Sequence, residues 1–84
     1  MTATAVASPT FHSWLSQQIH RQDAVGILAR DVESEERRCN RSLELSVSSR
    51  LNVICFVNTG SAYTRLTRAD ALEIWDAWLL EKYR

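Results

Sequence analysis

Residues 11–32, FHSWLSQQIHRQDAVGILARDV, carry the clearest structural pattern in the chain. The first apolar residues recur at the spacing of one helical face: Phe11, Trp14, Leu15 and Ile19. Because positions three and four apart lie on the same side of a helix, this spacing predicts a helix that packs on one side only. Thr10 stands at the N-cap position, and we expect the helix to end near His20–Arg21.

A second helix is predicted directly after Asp23, whose carboxylate can accept hydrogen bonds from the first free backbone amides. Its apolar positions follow at helical spacing: Val25, Leu28, Ala29 and Val32. Gly26 lies inside this run, although glycine costs up to about 1 kcal/mol relative to alanine in a helix. We expect a packing reason, namely close approach of the Trp14 side of the first helix to a backbone without a Cβ.

These two predicted helices contain a signature that resembles the opening of the YozE-type, SAM-like family of small bacterial proteins. The matching residues are Phe11, Trp14, Leu15, Gln18, Arg21, Asp23, Val25, Gly26, Leu28, Ala29, Asp31 and Val32. A weaker similarity to the closing helix of the family covers 69–83, through Ala69, Ala71, Leu72, Ala77, Trp78 and Tyr83. Ile27 stands where the family often has Asp, and residues 33–58 match nothing specific to it. The resemblance implies a compact, soluble, cytoplasmic SAM-like helical bundle, in a family whose members mostly have no assigned biochemical role.

The middle of the chain, residues 43–66, supports two predictions that differ in fold class. Two sets of apolar residues alternate: Leu43, Leu45 and Val47, then Leu51, Val53, Cys55 and Val57. Alternation is the period of a β-strand, so with a turn over 58–61 it predicts a β-hairpin between two front helices and a C-terminal helix, an α+β fold. The resemblance instead implies a buried helix over 50–58, capped by Ser49 and ended by Gly60. We favour the mainly α bundle and keep the hairpin as the alternative.

A last helix is predicted after Thr67, because Thr67-Arg-Ala-Asp70 has the form of a capping box with Asp in place of Glu. Its apolar residues form a wide stripe: Leu72, Ile74, Trp75, Trp78 and Leu79. Lys82 and Arg84 close the helix, where positive charge suits the helix dipole. The three tryptophans are expected in the core rather than as a platform for stacked bases, since each large aromatic buries about 150–250 Å².

Composition bounds the class of protein. The 84 residues leave room for one domain, expected over 10–84 after a disordered lead-in over 1–9. A hydrophobic fraction of 45% and a charged fraction of 24% exclude collagen-like, disulfide-dense and strongly disordered chains. The sequence has neither the pattern of a signal peptide nor an apolar run that could span a bilayer, so we expect a cytoplasmic protein without membrane association.

Charge is segregated along the chain, although ten basic and ten acidic residues give a net charge of zero. Residues 37–68 hold six arginines against Glu44, a net charge of +5, whereas 1–36 (two basic, five acidic) carry −3 and 69–84 (two basic, four acidic) carry −2. The six arginines are the candidate partner-binding residues: Arg37, Arg38, Arg41, Arg50, Arg65 and Arg68. Arginine suits this role because its planar group can bind a carboxylate or phosphate through two hydrogen bonds.

No catalytic or cofactor motif is recognisable in the sequence. His12 and His20 are eight residues apart, too far along one helix to share a metal, and we expect both on the surface. Cys39 and Cys55 lie outside any Cys-x-x-Cys unit and are expected as free thiols. The prediction is therefore a non-enzymatic protein without metal or cofactor.

The predicted function is a small interaction domain that binds a protein partner, a second copy of itself included, through a charged face with an apolar centre. An inhibitor or adaptor from a phage or other mobile element is one specific form of this prediction. The alternative is weak nucleic-acid binding by the arginine-rich middle segment. Protein binding is favoured because the net charge is zero and acidic helices flank the basic segment, where they would repel phosphate.

Overall fold

The computed structural model describes residues 10–59 and 66–83. Four α-helices lie in these ranges: α1 (Phe11–Ser16), α2 (Ala24–Cys39), α3 (Arg50–Thr59) and α4 (Arg68–Lys82). A short 3₁₀ helix, Glu44–Val47, lies between α2 and α3. The described residues contain no β-strand, so the mainly α prediction is confirmed and the hairpin alternative is not supported. Some predictions fall outside the described residues, namely those for 1–9, Gly60, Arg65 and Arg84.

Helix α1 begins where the sequence predicts and ends earlier. The Thr10 hydroxyl accepts a hydrogen bond from the Ser13 N–H at 3.1 Å, which confirms the predicted N-cap. The helix ends at Ser16, because the next two N–H groups bond to carbonyls only three residues back and tighten the chain into a 3₁₀ turn. The expected end near His20–Arg21 is therefore wrong, although Ile19 still packs against the core.

Helix α2 begins after its predicted N-cap, since the Asp23 carboxylate accepts from the Gly26 N–H at 3.3 Å. A Cβ at Gly26 would lie 2.6 Å from the carbonyl carbon of Arg21 and closer still to its oxygen. The predicted packing reason is confirmed, but the neighbour is the Arg21 peptide in the α1–α2 connection rather than Trp14. At the other end, Asn40 closes α2 in the left-handed region, with φ of 56°, a conformation that asparagine tolerates.

Helix α3 occupies the segment for which strands were the alternative. Ser49 caps it, accepting a hydrogen bond from the Asn52 N–H at 3.1 Å. Its buried side chains lie at helical spacing: Val53, Phe56 and Val57. Leu51 and Cys55, which alternation would place beside Val53 on one strand face, are exposed. The alternating pattern misleads because this segment is apolar at nearly every position and so fits both periods.

Helix α4 begins with a complete capping box, as predicted. The Thr67 hydroxyl accepts from the Asp70 N–H at 3.1 Å, and the Asp70 carboxylate accepts from the Thr67 N–H at 2.9 Å. An aromatic cluster joins α4 to α1: Phe11, Trp14, Trp75 and Trp78. Trp14 and Trp78 are buried and Trp75 is half-buried, which confirms the core role of the tryptophans.

One hydrophobic core holds all five elements. Its largest fully buried side chains are Leu15, Leu28, Val47, Val53 and Ile74. Each of these comes from a different element, so every helix is fixed to the same core. None of the helices in the described ranges combines the length and the apolar character that crossing a membrane requires.

Candidate functional site

The end of α4 carries apolar side chains on the side that faces away from the core. Its buried residues on the inner side are Ala71, Ile74 and Trp78. The opposite side holds Asp76, Leu79 and Leu80 of α4 and Tyr83, the C-cap residue directly after its end, at the spacing i, i+3, i+4 and i+7. We call these four residues the outer face of α4. Leu80 is 72% exposed and Tyr83 is 76% exposed, so two large side chains with apolar surface meet solvent within one helical turn.

The sequence of α4 explains why both of its sides are apolar. Helix α2 buries residues such as Leu28 on one side and exposes charged residues such as Glu33 and Arg37 on the other. In α4, residues 78–80 are Trp-Leu-Leu, and three consecutive residues cannot all point toward one core. A helix that is apolar on both sides is typical of a segment covered on both sides. The outer face of α4 is therefore a candidate interaction surface.

Asp76 lies at one end of the outer face of α4, and Lys82 lies next to the other end, on the core side of the helix. The Lys82 Nζ lies 4.8 Å from the centroid of the Trp78 ring and 5.4 Å from that of the Tyr83 ring. Both distances are within the range of cation–π attraction, so the ammonium group lies between a buried ring and an exposed ring. Asp76 lies about two turns earlier, at the acidic end of the face. The arrangement is an apolar centre with an acid at one end and a phenol at the other, and the ammonium group of Lys82 borders the phenol from the core side of the helix.

A second candidate site joins α1, α2 and the segment before the 3₁₀ helix. The Nε2 atom of His12 lies 2.6 Å from the Oε2 atom of Glu36, and the two side chains are only 21% and 23% exposed. The same oxygen accepts the N–H of Leu43 at 2.8 Å. We call these three residues the polar junction. The sequence predicts both histidines on the surface: His20 is exposed, whereas His12 is half-buried at the surface, with its ring against Glu36 of α2.

The electrostatics of the polar junction favour a clamp over an acid–base site. Partial burial acts to raise the pKa of Glu36, but the hydrogen bonds from Leu43 and His12 outweigh it, so the pKa of this carboxyl lies below its usual value. A general acid or base at neutral pH needs a pKa moved toward neutrality, and this shift has the opposite direction. The junction therefore holds an ionised carboxylate whose role is to tie three segments together.

Two of the candidate arginines are paired within α2. An Arg37 guanidinium nitrogen lies 3.4 Å from Glu33, one turn earlier. Arg38 donates two hydrogen bonds to Glu35, at 2.8 and 2.7 Å, and these bonds lower the pKa of the Glu35 carboxyl. Both pairs are exposed or partly exposed, so each adds little stability. Their consequence is a local neutralisation of positive charge.

The other candidate arginines lie at separate points of the fold. Arg41 is exposed just after α2 and lines, together with Arg37, a shallow groove beside the polar junction. Arg50 and Arg68 are the first residues of α3 and α4, and Arg65 lies outside the described residues. The structure thus brings Arg37 and Arg41 to one groove, whereas Arg50 and Arg68 begin two other helices.

Both cysteine side chains are exposed to solvent, one on α2 and one on α3. Cys39 is the last residue of α2 and Cys55 lies on the solvent side of α3, and neither forms a disulfide. Within residues 10–59 and 66–83, no group of three or more His, Cys, Asp or Glu side chains is arranged to hold a metal ion.

The signature residues of 11–32 build the corner between α1 and α2. The side-chain amide of Gln18 donates to the Trp14 carbonyl at 3.1 Å. The Arg21 guanidinium donates to both carboxylate oxygens of Asp23, the shortest bond being 2.7 Å, and this lowers the pKa of Asp23. Arg30 in turn donates to the Arg21 carbonyl at 2.8 Å. Local geometry thus accounts for these polar residues of the signature without a ligand.

The outer face of α4 and the polar junction are both absent from the sequence predictions. The stripe predicted for α4 includes Leu79 but neither Leu80 nor Tyr83. The available signal was the apolar run 78–80, which is more than one side of a helix can bury. The polar junction leaves no such signal, because His12 and Glu36 are 24 positions apart and meet only in the folded chain.

Comparison of the chain with protein-family models, with curated proteins and with solved structures finds no match. The similarity of residues 11–32 to the YozE-type family therefore stays a prediction that rests on the signature alone. Function is inferred from the surfaces of the chain itself.

Proposed function

We propose that this chain is a small, non-enzymatic interaction domain that binds a protein partner through the outer face of α4. The observation that carries the proposal is the exposure of Leu80 and Tyr83 on a helix whose other side is already packed on the core. Their neighbour Leu79 is half-buried and extends the apolar surface toward the body of the domain. An apolar centre bordered by polar groups is the usual arrangement of a protein–protein interface.

The size of this surface sets the affinity to expect. Burying one large apolar side chain contributes about 1.5–3 kcal/mol, so Leu80 and Tyr83 together supply roughly 3–6 kcal/mol before the cost of association. Micromolar binding requires about 8 kcal/mol. The two side chains therefore act as anchors, and the partner must contact neighbouring residues as well.

Protein binding is supported over nucleic-acid binding by the pairing of the arginines. A protein holds a nucleic-acid backbone by placing free cations against successive phosphates. Arg37 and Arg38, two of the six candidates, are already neutralised by Glu33 and Glu35 of the same helix. Binding of nucleic acid would have to break these pairs and bring phosphate close to carboxylates.

One specific form of the proposal is an inhibitor or adaptor encoded by a phage or other mobile element, which a domain with a single core and an exposed apolar face would suit. Such a protein needs only one core and one binding face, since its effect comes from occupying a surface of another protein. The genes that neighbour the coding sequence test this form. Phage or transposon genes on both sides would support it, and a conserved housekeeping operon would contradict it.

The test of the proposed function is capture of a partner with matched variants. The tagged chain is produced in its native host, cross-linked in the cell and purified after nuclease treatment. We expect a defined protein with the wild-type chain and its loss with Leu80→Arg. Leu45→Arg is the matched control, because Leu45 is 83% exposed on the 3₁₀ helix and does not belong to the outer face of α4.

Two results would contradict the proposal. The first is equal recovery of the partner by Leu80→Arg and wild type, with far-UV circular dichroism showing that both variants are folded. The second is recovery of nucleic acid alone, in samples without nuclease, with binding that falls steeply as salt rises. The second result would support the arginine-rich segment as the binding site.

A further inference from the structure

We infer that the partner of the outer face of α4 is a second copy of this chain, bound antiparallel about a two-fold axis that passes between Leu79 and Leu80. The inference rests on the proposed function, because it uses the same face. It adds the identity of the partner and the register of the contact. In a two-fold pair the same patch serves both copies, so each contact is made twice.

The register follows from the order of residues on the outer face of α4. When two α4 helices run antiparallel about this axis, Leu79 of one copy lies opposite Leu80 of the other. In the same arrangement, Asp76 lies opposite Tyr83 of the second copy. The spacing is symmetric, since Asp76 precedes the axis by as many residues as Tyr83 follows it. The face is therefore complementary to itself.

The paired groups match chemically. The four leucines of the two copies cover one another at the centre, where water is excluded. At each end, the Asp76 carboxylate accepts a hydrogen bond from the Tyr83 hydroxyl of the second copy, and a bond to an ionised acceptor is stronger than a neutral one. The Lys82 Nζ lies 5.4 Å from the centroid of the Tyr83 ring, although Lys82 itself lies on the core side of α4. Antiparallel helices also align their dipoles favourably.

Other arrangements of two α4 helices bring like groups together. In a parallel pair Asp76 faces Asp76, and two carboxylates in contact repel. An antiparallel pair centred two residues earlier, between 77 and 78, also places the two Asp76 side chains close to each other. Centring between Leu79 and Leu80 separates them by about 10 Å along the axis, since Asp76 of the second copy lies opposite position 83, seven steps of 1.5 Å away. The charge of Asp76 thus excludes these two arrangements, and its pairing with Tyr83 selects the register centred between Leu79 and Leu80.

The length of the contact predicts a weak dimer. Residues 76–83 make about two helical turns, roughly 12 Å. A stable interface buries about 800 Å² on each partner, which is more than two turns of one helix provide. We therefore expect a reversible dimer with a dissociation constant on the order of 100 μM.

Sedimentation velocity of the full chain tests the inference between about 10 μM and about 1 mM, on either side of the expected dissociation constant. We expect the weight-average mass to rise with concentration from 9.6 kDa toward twice that value. Leu80→Arg should stay monomeric at all concentrations, whereas Leu45→Arg should behave like wild type. Tyr83→Phe should raise the dissociation constant roughly tenfold, because it removes both symmetric hydrogen bonds and keeps the ring.

Each outcome decides one part of the inference. A wild-type chain that stays monomeric at the highest concentration overturns the dimer. A mass that rises equally for Leu80→Arg and Leu45→Arg overturns the choice of face, and an unchanged dissociation constant for Tyr83→Phe overturns the register. The proposed function fails separately, when Leu80→Arg and wild type capture the same protein partner in equal amounts. Circular dichroism and melting of each variant confirm that the fold is intact.

Discussion

Replacing Gly26 of α2 by Ala has two opposite effects on the stability of the fold. In an ordinary helix interior, alanine is favoured over glycine by about 1 kcal/mol, partly because glycine gives the unfolded chain more freedom. At Gly26, the added methyl group would lie 2.6 Å from the carbonyl carbon of Arg21. Non-bonded carbon atoms keep about 3.5–4.0 Å, so the methyl group and this peptide cannot occupy their present positions together.

The size of the destabilisation depends on which backbone groups can move away from the added methyl group. The backbone of Arg21 is held on both sides, because the Arg21 carbonyl accepts from Arg30 at 2.8 Å and the Arg21 N–H donates to the Gln18 carbonyl at 3.1 Å. Relief requires a shift of the start of α2 away from the connection. Inserting a methyl group into a packed site costs about 1–3 kcal/mol, and a backbone neighbour places the cost toward the upper end. After the gain in helix propensity, we expect Gly26→Ala to destabilise the fold by about 1–2 kcal/mol.

Thermal unfolding followed by circular dichroism measures this effect. For a domain of this size, a loss of about 1–2 kcal/mol lowers the melting temperature by roughly 5–15 °C. Ser34→Ala is the matched control, because Ser34 is exposed on the same helix and gains only helix propensity, about 0.5 kcal/mol. A melting temperature of Gly26→Ala equal to or above that of wild type would refute the close packing of Gly26 on the Arg21 peptide.

Three further perturbations test the core, a helix cap and the polar junction. Trp14→Ala should cost about 3–5 kcal/mol, since a buried ring leaves a cavity, and an unchanged urea midpoint would contradict its core position. Thr67→Ala should cost about 1 kcal/mol, because it removes one half of the capping box of α4. A melting temperature equal to that of wild type would contradict this role of Thr67. The lowered pKa of Glu36 means that its ionised form stabilises the fold above pH 4.5, its usual value, and that this contribution is lost as the pH falls through the lower folded value. Wild type should therefore exceed Glu36→Gln in stability at neutral pH and approach it in acid, and a difference that stays constant with pH would contradict this role.

Helix starts could be predicted from the sequence because capping is a local interaction. Thr10, Asp23 and Thr67 each bond to an N–H only three positions away, so the signal lies within one short segment, and the Ser49 cap that the family resemblance implies has the same spacing. The end of α1 is different. Apolar spacing continues to Ile19, but α1 ends at Ser16, and the backbone of Arg21 in the following connection lies against Gly26 of α2. That turn depends on a contact with another helix, which spacing within α1 does not record.

The middle segment and the polar junction depend on contacts between distant residues. Residues 50–58 fit a strand and a helix equally well, and packing against α4 decides for the helix. Burial of Val53, Phe56 and Val57 on one side follows from that packing. Likewise, nothing near His12 in the sequence indicates Glu36 as its partner. These features emerge from tertiary structure, and single-sequence patterns reach them only by way of a family resemblance.

Positive and negative charges are less separated in the folded structure than along the sequence. The boundary between the acidic segment 1–36 and the basic segment 37–68 falls inside α2 and separates Glu33 from Arg37 and Glu35 from Arg38. The structure joins both pairs across this boundary, so two of the positive charges counted in the middle are matched by acids counted at the front. Since these pairs cancel locally, charge gives less reason for a binding role than the sequence indicated. Exposed apolar surface gives more, because no residue in the described part of the chain covers Leu80 or Tyr83.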